Sequence, residues 1–317
     1  MIPFSGVGVI PACLLPLDAS GEIDPEAYRR HLRDLAGIPR LGGIVINGHA
    51  AEVHALTFDQ QVQMMEAGCE AAGNEAPIIV GIYAETALAA ARLARAAEKA
   101  GASALLVFPP VSVMFGGKAR PEHLSGYVKD LAAATDLPLI AFQFPAVTDL
   151  SYPLDVLVSL CEEVDGICAI KDLVGDPRLH EKTIEALHGL SRPVNVLTSH
   201  SQWLAGSIIM GARGIISGAG SVIADRQRAL FEALAAPQID RDAARKLIGN
   251  MSLLVEAFYA RPYVDWQARM KRVLFDFGRF GSAGVLSPLH EIGDDDWERV
   301  RALIGQAGLD RESLYAG

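Results

Sequence analysis

Little in this chain suits a nucleic acid or a membrane. Its 317 residues carry 38 acidic and 28 basic side chains, a formal net charge of −10. A phosphate backbone calls for a clustered basic face, so this balance argues against a nucleic-acid partner; a small anionic substrate needs only a few local donors. No apolar stretch reaches the roughly 18 residues that a membrane helix requires. Nor does the chain open on a basic segment followed by a long apolar run, as a signal peptide would. Cysteine is sparse: Cys13, Cys69, Cys161 and Cys168 stand apart, without a CxxC pair. Such thiols read as small core residues of a reduced, cytoplasmic protein and supply no zinc site. His31, His54, His123, His180, His188 and His290 show no metal-ligand spacing either. Lysine is scarce as well. Lys99, Lys118, Lys129, Lys182, Lys246 and Lys271 lie in expected helices or loops, where a solvated ammonium is ordinary. Lys171, in contrast, closes the apolar run Gly166-Ile167-Cys168-Ala169-Ile170.

Half the residues are hydrophobic and 21% are charged, enough for a large core. Apolar runs at residues 7–14, 43–47, 77–82, 104–108, 138–143, 166–171, 194–199 and 214–218 are each followed by a helical pattern. The helices are expected from residue 24, where Asp24-Pro25 makes a cap, and then at 58–72, 85–100, 121–134, 153–163, 177–188, 202–210 and 225–235. Continuous Val, Ile, Leu and Ala, without polar alternation, marks strands buried on both faces, as in a parallel sheet. Eight such units in regular order point to an α/β fold, a (β/α)₈ TIM barrel over residues 1–236. Strand signals then stop. Helical patterns at 240–260, 262–277 and 294–307 make residues 237–317 a C-terminal helical extension.

Chemistry in a barrel sits where strands end and βα loops begin. At the end of a buried strand the Lys171 amine would lose hydration, and its pKa would fall toward the range where an amine is a nucleophile at neutral pH. A lysine paired with a carboxylate at the barrel rim is the plainer alternative. The second loop, Gly48-His49-Ala50-Ala51-Glu52, has small residues whose N–H groups can turn toward an anion such as a carboxylate. His49 can move protons there or serve as a structural residue, and Glu52 reads as a brace for the loop. The eighth loop, Ser217-Gly218-Ala219-Gly220-Ser221, is read as a tight turn lining the pocket. It has the form of a phosphate turn, but its expected partner loop, Thr198-Ser199-His200-Ser201, is polar without being glycine-rich.

Over nearly its whole length the sequence resembles the dihydrodipicolinate synthase / N-acetylneuraminate lyase superfamily of class I aldolases. The resemblance is carried by Gly8-Val9-Ile10-Pro11-Ala12 and Gly21-Glu22-Ile23-Asp24, by Gly48-His49-Ala50-Ala51-Glu52 at the place of G-T-T-G-E, and by Gly101-Ala102. Ile170-Lys171-Asp172 and Gly211-Ala212-Arg213-Gly214-Ile215-Ile216-Ser217 complete it. It implies that Lys171 forms an imine with pyruvate or the 2-oxo end of a substrate, and that the backbone of His49 and Ala50, following Gly48, binds the carboxylate. It implies a homo-oligomer, commonly a tetramer, and no metal or organic cofactor. The departures are as pointed. Where the family has Y-N-x-P with its proton-relaying tyrosine, this chain reads Phe142-Gln143-Phe144-Pro145, and the arginine two residues on is Val147. The paired tyrosines after the fourth strand are Pro110-Val111, and neither threonine of G-T-T-G-E remains.

The reading is a lyase that forms a Schiff base with a 2-oxo acid, followed by retro-aldol cleavage or by dehydration of a 2-oxo-3-deoxy acid. Lys171 and His49 are the catalytic candidates; Gly48, Ala50, Phe142, His200 and Ser217 are the substrate-binding ones, His200 doubling as a second proton carrier. A phosphosugar aldolase built on the Ser217–Ser221 turn and a non-catalytic barrel that binds 2-oxo acids are the alternatives. With phenylalanine and valine at positions 142 and 147, condensation of pyruvate with aspartate semialdehyde should be negligible. A turnover of about 1 s⁻¹ or more in a coupled assay would show these departures to be harmless.

Overall fold

The computed structural model describes residues 2–315. Eight parallel strands, β1 (Gly8–Pro11), β2 (Ile44–Ile46), β3 (Ile78–Ile82), β4 (Ala104–Val107), β5 (Leu139–Gln143), β6 (Ile167–Asp172), β7 (Asn195–Thr198) and β8 (Gly214–Ser217), follow one another around a ring. β1 pairs with β8 on one side. The remaining seam to β2 is closed by Gly42 N donating to Val9 O and Cys13 N donating to Val45 O, both at 2.8 Å. The helices α1 (Pro25–Ala36), α2 (Phe58–Ala72), α3 (Ala87–Ala100), α4 (Glu122–Ala132), α5 (Leu154–Glu163), α6 (Pro177–His188), α7 (Leu204–Ile209) and α8 (Gly220–Ala235) alternate with the strands. The chain is a (β/α)₈ barrel, as its pattern of runs implies. Helices α9 (Arg241–Tyr259), α10 (Trp266–Asp276) and α11 (Asp294–Gln306) follow. No helix among the described residues is long and apolar enough to cross a membrane.

Strand parity explains what faces the barrel axis. Leu105, Leu139, Ala141 and Ile170 pack outward in the layer under α1–α6, and Ile167 joins them because the β5–β6 register shifts between Leu139 and Ile140. Their neighbours Ala104, Leu106, Ile140, Phe142 and Ala169 belong to the inner core, which continues into α9–α11 through Phe258, Val273 and Trp297. Lys171 keeps the parity of Ala169, so the same alternation that buries alanine aims the lysine inward. Gly81 serves a close approach: a β-carbon there would sit 2.1 Å from Asn47 O.

Three expectations change. The seventh helix does not run from residue 202; a 3₁₀ turn at Ser201–Trp203 precedes a short α7, because the Trp203 ring stacks on His200 at 4.0 Å and its backbone leaves the helical region. The eighth begins earlier, at Gly220, with a break at Ile223. Its first turn is tied to the barrel by Ser221 Oγ, which accepts from Leu14 N at 2.9 Å and meets His31 Nε2 at 2.7 Å. Lys271 is not solvated. It is fully buried on α10 and ion-paired with Glu52, which is equally buried, while its Nζ also donates to Gly284 O at 2.9 Å. Periodicity on a helix cannot tell a buried cation from an exposed one when the counter-charge comes from a distant loop.

Breaking a buried pair on one side leaves an uncompensated charge, at a cost of about 3–5 kcal/mol. Lys271→Met and Glu52→Gln should each lower stability by that order in denaturant titrations. The double variant should recover much of the loss; strictly additive effects would show that the two groups are not coupled.

Candidate active site

Lys171 ends β6 beside Phe142 of β5, its register partner. Its Nζ stands 4.0 Å from the centroid of the Phe142 ring. The amine opens into a cavity of about 910 Å³ at the ends of the strands and is otherwise surrounded by protein. Burial brings its pKa down to about 7. Among the described residues no carboxylate offsets this, although Asp172 is the next residue. Opposite parity turns Asp172 away: its Oδ2 accepts from His180 Nδ1 at 2.9 Å, and its Oδ1 accepts from Val174 N at 2.7 Å. Of the two readings open to a lysine at this position, the geometry shows no rim ion pair among the described residues.

The second loop is held in an unusual shape. Gly48 leads into a 3₁₀ turn, His49–Ala51, and among the described residues neither His49 N nor Ala50 N donates to a protein acceptor. Asn47 and Glu52, on either side, both adopt left-handed backbone conformations that non-glycine residues rarely take. Each is anchored: Asn47 Nδ2 donates to Gln61 O at 2.8 Å, and Glu52 accepts from Leu286 N besides pairing with Lys271. Gln267 Nε2 of α10 donates to His49 O at 3.3 Å. Glu52 is therefore a brace and does not reach the cavity. The His49 ring does reach it, packed 4.7 Å from Phe108 and 6.0 Å from Phe144, centroid to centroid. Burial, reinforced by the Lys171 ammonium and His54, lowers its pKa to about 3, so it is a neutral imidazole across the ordinary pH range.

His200 and Ser217 also line the cavity. The lone pair of His200 Nε2 is occupied by Gly175 N at 3.0 Å, leaving the proton on Nδ1, 3.2 Å from Thr198 Oγ1. Burial outweighs the attraction of Asp172 and lowers the pKa of His200 to about 4. Ser217 Oγ is buried without a partner among the described residues. Phe142 forms the floor under the lysine, and Gln143 is absorbed by a two-way pairing with the Tyr152 backbone at 2.9 Å each way. The fold also assembles what linear spacing did not suggest: ligand-type atoms of Asp172, His180 and His200 within 4.8 Å of one another. They come together because β6 and β7 are neighbours. His180 Nε2 is engaged with Ser207 Oγ at 2.7 Å, and the other atoms are bonded as described, so the cluster is a hydrogen-bonded brace behind Lys171.

The barrel-loop rule overlooks one wall altogether. Tyr259, Arg261, Tyr263, Val264 and Trp266, from the segment joining α9 to α10, line the same cavity. Tyr259 accepts from Ala219 N at 3.0 Å through its hydroxyl. Only the density of aromatic residues between 258 and 266 hinted at a role there.

Residues 5–307 match the family model for the Dihydrodipicolinate synthetase family. The chain belongs to that family. It is 28% identical over 207 residues to a protein of Pyrobaculum islandicum named an uncharacterized DapA-like lyase, covering 65% of this chain and 66% of that one. It is 26% identical over 254 residues to a 4-hydroxy-tetrahydrodipicolinate synthase of Methanosarcina mazei, covering 80% and 82%. The fold superposes with a TM-score of 0.85 on YagE of E. coli K12, a prophage protein of the dihydrodipicolinic acid synthase family solved with pyruvate; identity is 21%, over 96% of this chain and 99% of that one.

Labelling with a small amine-reactive acylating reagent across a pH series, followed by peptide mass mapping, should find Lys171 half-reactive near pH 7. A midpoint near pH 10, that of an ordinary lysine, would mean that the amine is hydrated or ion-paired.

Proposed function

We propose that the protein is a class I lyase that forms an imine between Lys171 and a 2-oxo acid such as pyruvate. The observation that carries this reading is the half-buried Lys171 amine, which has no carboxylate partner among the described residues and is brought to a pKa of about 7. At neutral pH about half of it is the free base, the form that attacks a carbonyl. Attack at C2 and loss of water give an iminium, which draws electrons from the neighbouring carbons. In a retro-aldol step a base takes the C4 hydroxyl proton, the C3–C4 bond breaks, and its electron pair passes to C3 as an enamine. In the dehydration variant C3 loses its proton and the C4 hydroxyl leaves as water.

The free N–H groups of His49 and Ala50, after Gly48, suit the substrate carboxylate. Phe142 keeps the amine poorly hydrated and offers its ring face to the iminium. His49 is the proposed base: it faces the cavity, and its ring nitrogens have no protein partner among the described residues. His200 is the less suited of the two, since Gly175 N already occupies its lone pair. Ser217 offers an unengaged hydroxyl to the substrate.

Pyruvate with borohydride should modify Lys171 and no other residue, as read by intact mass and peptide mapping. An adduct elsewhere, or none with any 2-oxo acid, would sink the imine mechanism. His49→Ala and His49→Gln should keep trapping at Lys171 yet lose roughly 10²–10⁴-fold in turnover, the usual worth of a general acid or base. Retained turnover in the glutamine variant alone would make His49 a structural residue, and the same split in His200→Ala would move the relay there.

A further inference from the structure

Beyond Lys171 the cavity continues to a mouth whose chemistry differs from its floor. A volume of about 910 Å³ is far more than a three-carbon oxo acid fills, so most of it serves whatever the acid carries at C4. Trp203, Tyr259, Tyr263 and Trp266 stand around that outer part. Trp266 lies against the bare backbone of Gly218, where a β-carbon would fall 2.3 Å from the indole ring. The Tyr259 and Trp266 rings are 6.0 Å apart and tilted by 32°. No aspartate or glutamate among the described residues lines the space. Some of its polar side chains are engaged with the protein: Ser199 donates to Ile216 O, the Gln202 amide donates to the Tyr263 hydroxyl, and His200 accepts from Gly175 N, while Ser201, Ser217 and the Arg261 guanidinium also line it. A chain of secondary hydroxyls entering here would lose its water along the four aromatic side chains, which penalises every hydroxyl that rests on a ring. A flat ring leaves no such group unpaired and packs by face or edge against tryptophan and tyrosine.

We infer that the substrate carries an aromatic ring at C4: a 4-aryl-4-hydroxy-2-oxobutanoate, cleaved to an aromatic aldehyde and pyruvate. The inference rests on the imine reading of Lys171. Imine formation releases one water. The C3–C4 bond then breaks with its electron pair moving to C3, the C4 hydroxyl proton passes to the base, and C4 becomes the aldehyde carbon. C3 takes one proton, and one water hydrolyses the imine, so the sequence balances without an oxidant or co-reactant. The cavity selects the ring, and the lysine end handles a fragment common to many 2-oxo acids.

The test is run in the condensing direction. Intact protein is given pyruvate with benzaldehyde or with glyceraldehyde, and the aldol products are quantified by mass spectrometry. Benzaldehyde should be used with a kcat/KM about 100-fold above that for glyceraldehyde, within the range an apolar pocket reaches. Trp266→Ala should lower the benzaldehyde value at least about tenfold more than the glyceraldehyde value. Of the three tryptophans, Trp203 and Trp266 line the cavity. Fluorescence of the native protein should therefore be quenched saturably by 4-phenyl-2-oxobutanoate. Equal or better use of glyceraldehyde, with pyruvate still trapped at Lys171 by borohydride, overturns the aromatic assignment alone. Absence of any trapped adduct overturns the imine reading first, and the cleavage with it.

Discussion

At the C-terminal end of β6 the Lys171 amine rests 4.0 Å from the centroid of the Phe142 ring, with no carboxylate beside it among the described residues. A ring face attracts an ammonium far less than a buried carboxylate would, so it does not restore what burial takes away. The amine stays close to the balance point between its two protonation states. Everything nearby is consistent with preserving that balance. Asp172, the one carboxylate adjacent in sequence, is directed across the strand and tied to His180 and to the Val174 backbone. The same burial, with the lysine's own charge added, keeps His49 neutral. A carboxylate replacing Phe142 would return the amine to its ammonium form and end its nucleophilicity.

A second constraint fixes the loop opposite. Asn47 and Glu52 both occupy left-handed backbone conformations, which persist only where the surroundings over-determine them. Here the surroundings are a side-chain bond to α2 on one side and a buried ion pair to α10 on the other. Between these anchors His49 and Ala50 present their N–H groups. The loop has given up the hydroxyls its family carries there, and its shape is maintained from behind.

The barrel was legible because each strand announces itself as an unbroken apolar run and each helix as an amphipathic one. Lys171 stood out for the same reason: a cation at the end of such a run is locally anomalous. Positions whose meaning comes from a distant partner were not legible. Lys271 has ordinary helical surroundings in sequence, and its burial is decided by Glu52. Asp172, His180 and His200 lie on separate elements, and only the adjacency of β6 and β7 together with the placement of α6 unites them. The aromatic wall at 259–266 lies outside the βα loops, where barrel architecture directs attention, and is delivered by the turn that leads into α10. Parity along a strand is short-range information; closure of a cavity is not.

The brace behind the second loop also has a consequence for how the molecule comes into being. Glu52 receives its partners from Lys271 and from Leu286, the latter 234 residues further along the chain. When all eight strands have been synthesised, the loop facing Lys171 still lacks these anchors. The nascent chain thus carries Lys171 opposite an unbraced loop until Lys271 and Leu286 have been made. The loop gains its brace only from α10 and the segment after it, so the C-terminal region, which also supplies the aromatic wall, completes the site from two sides.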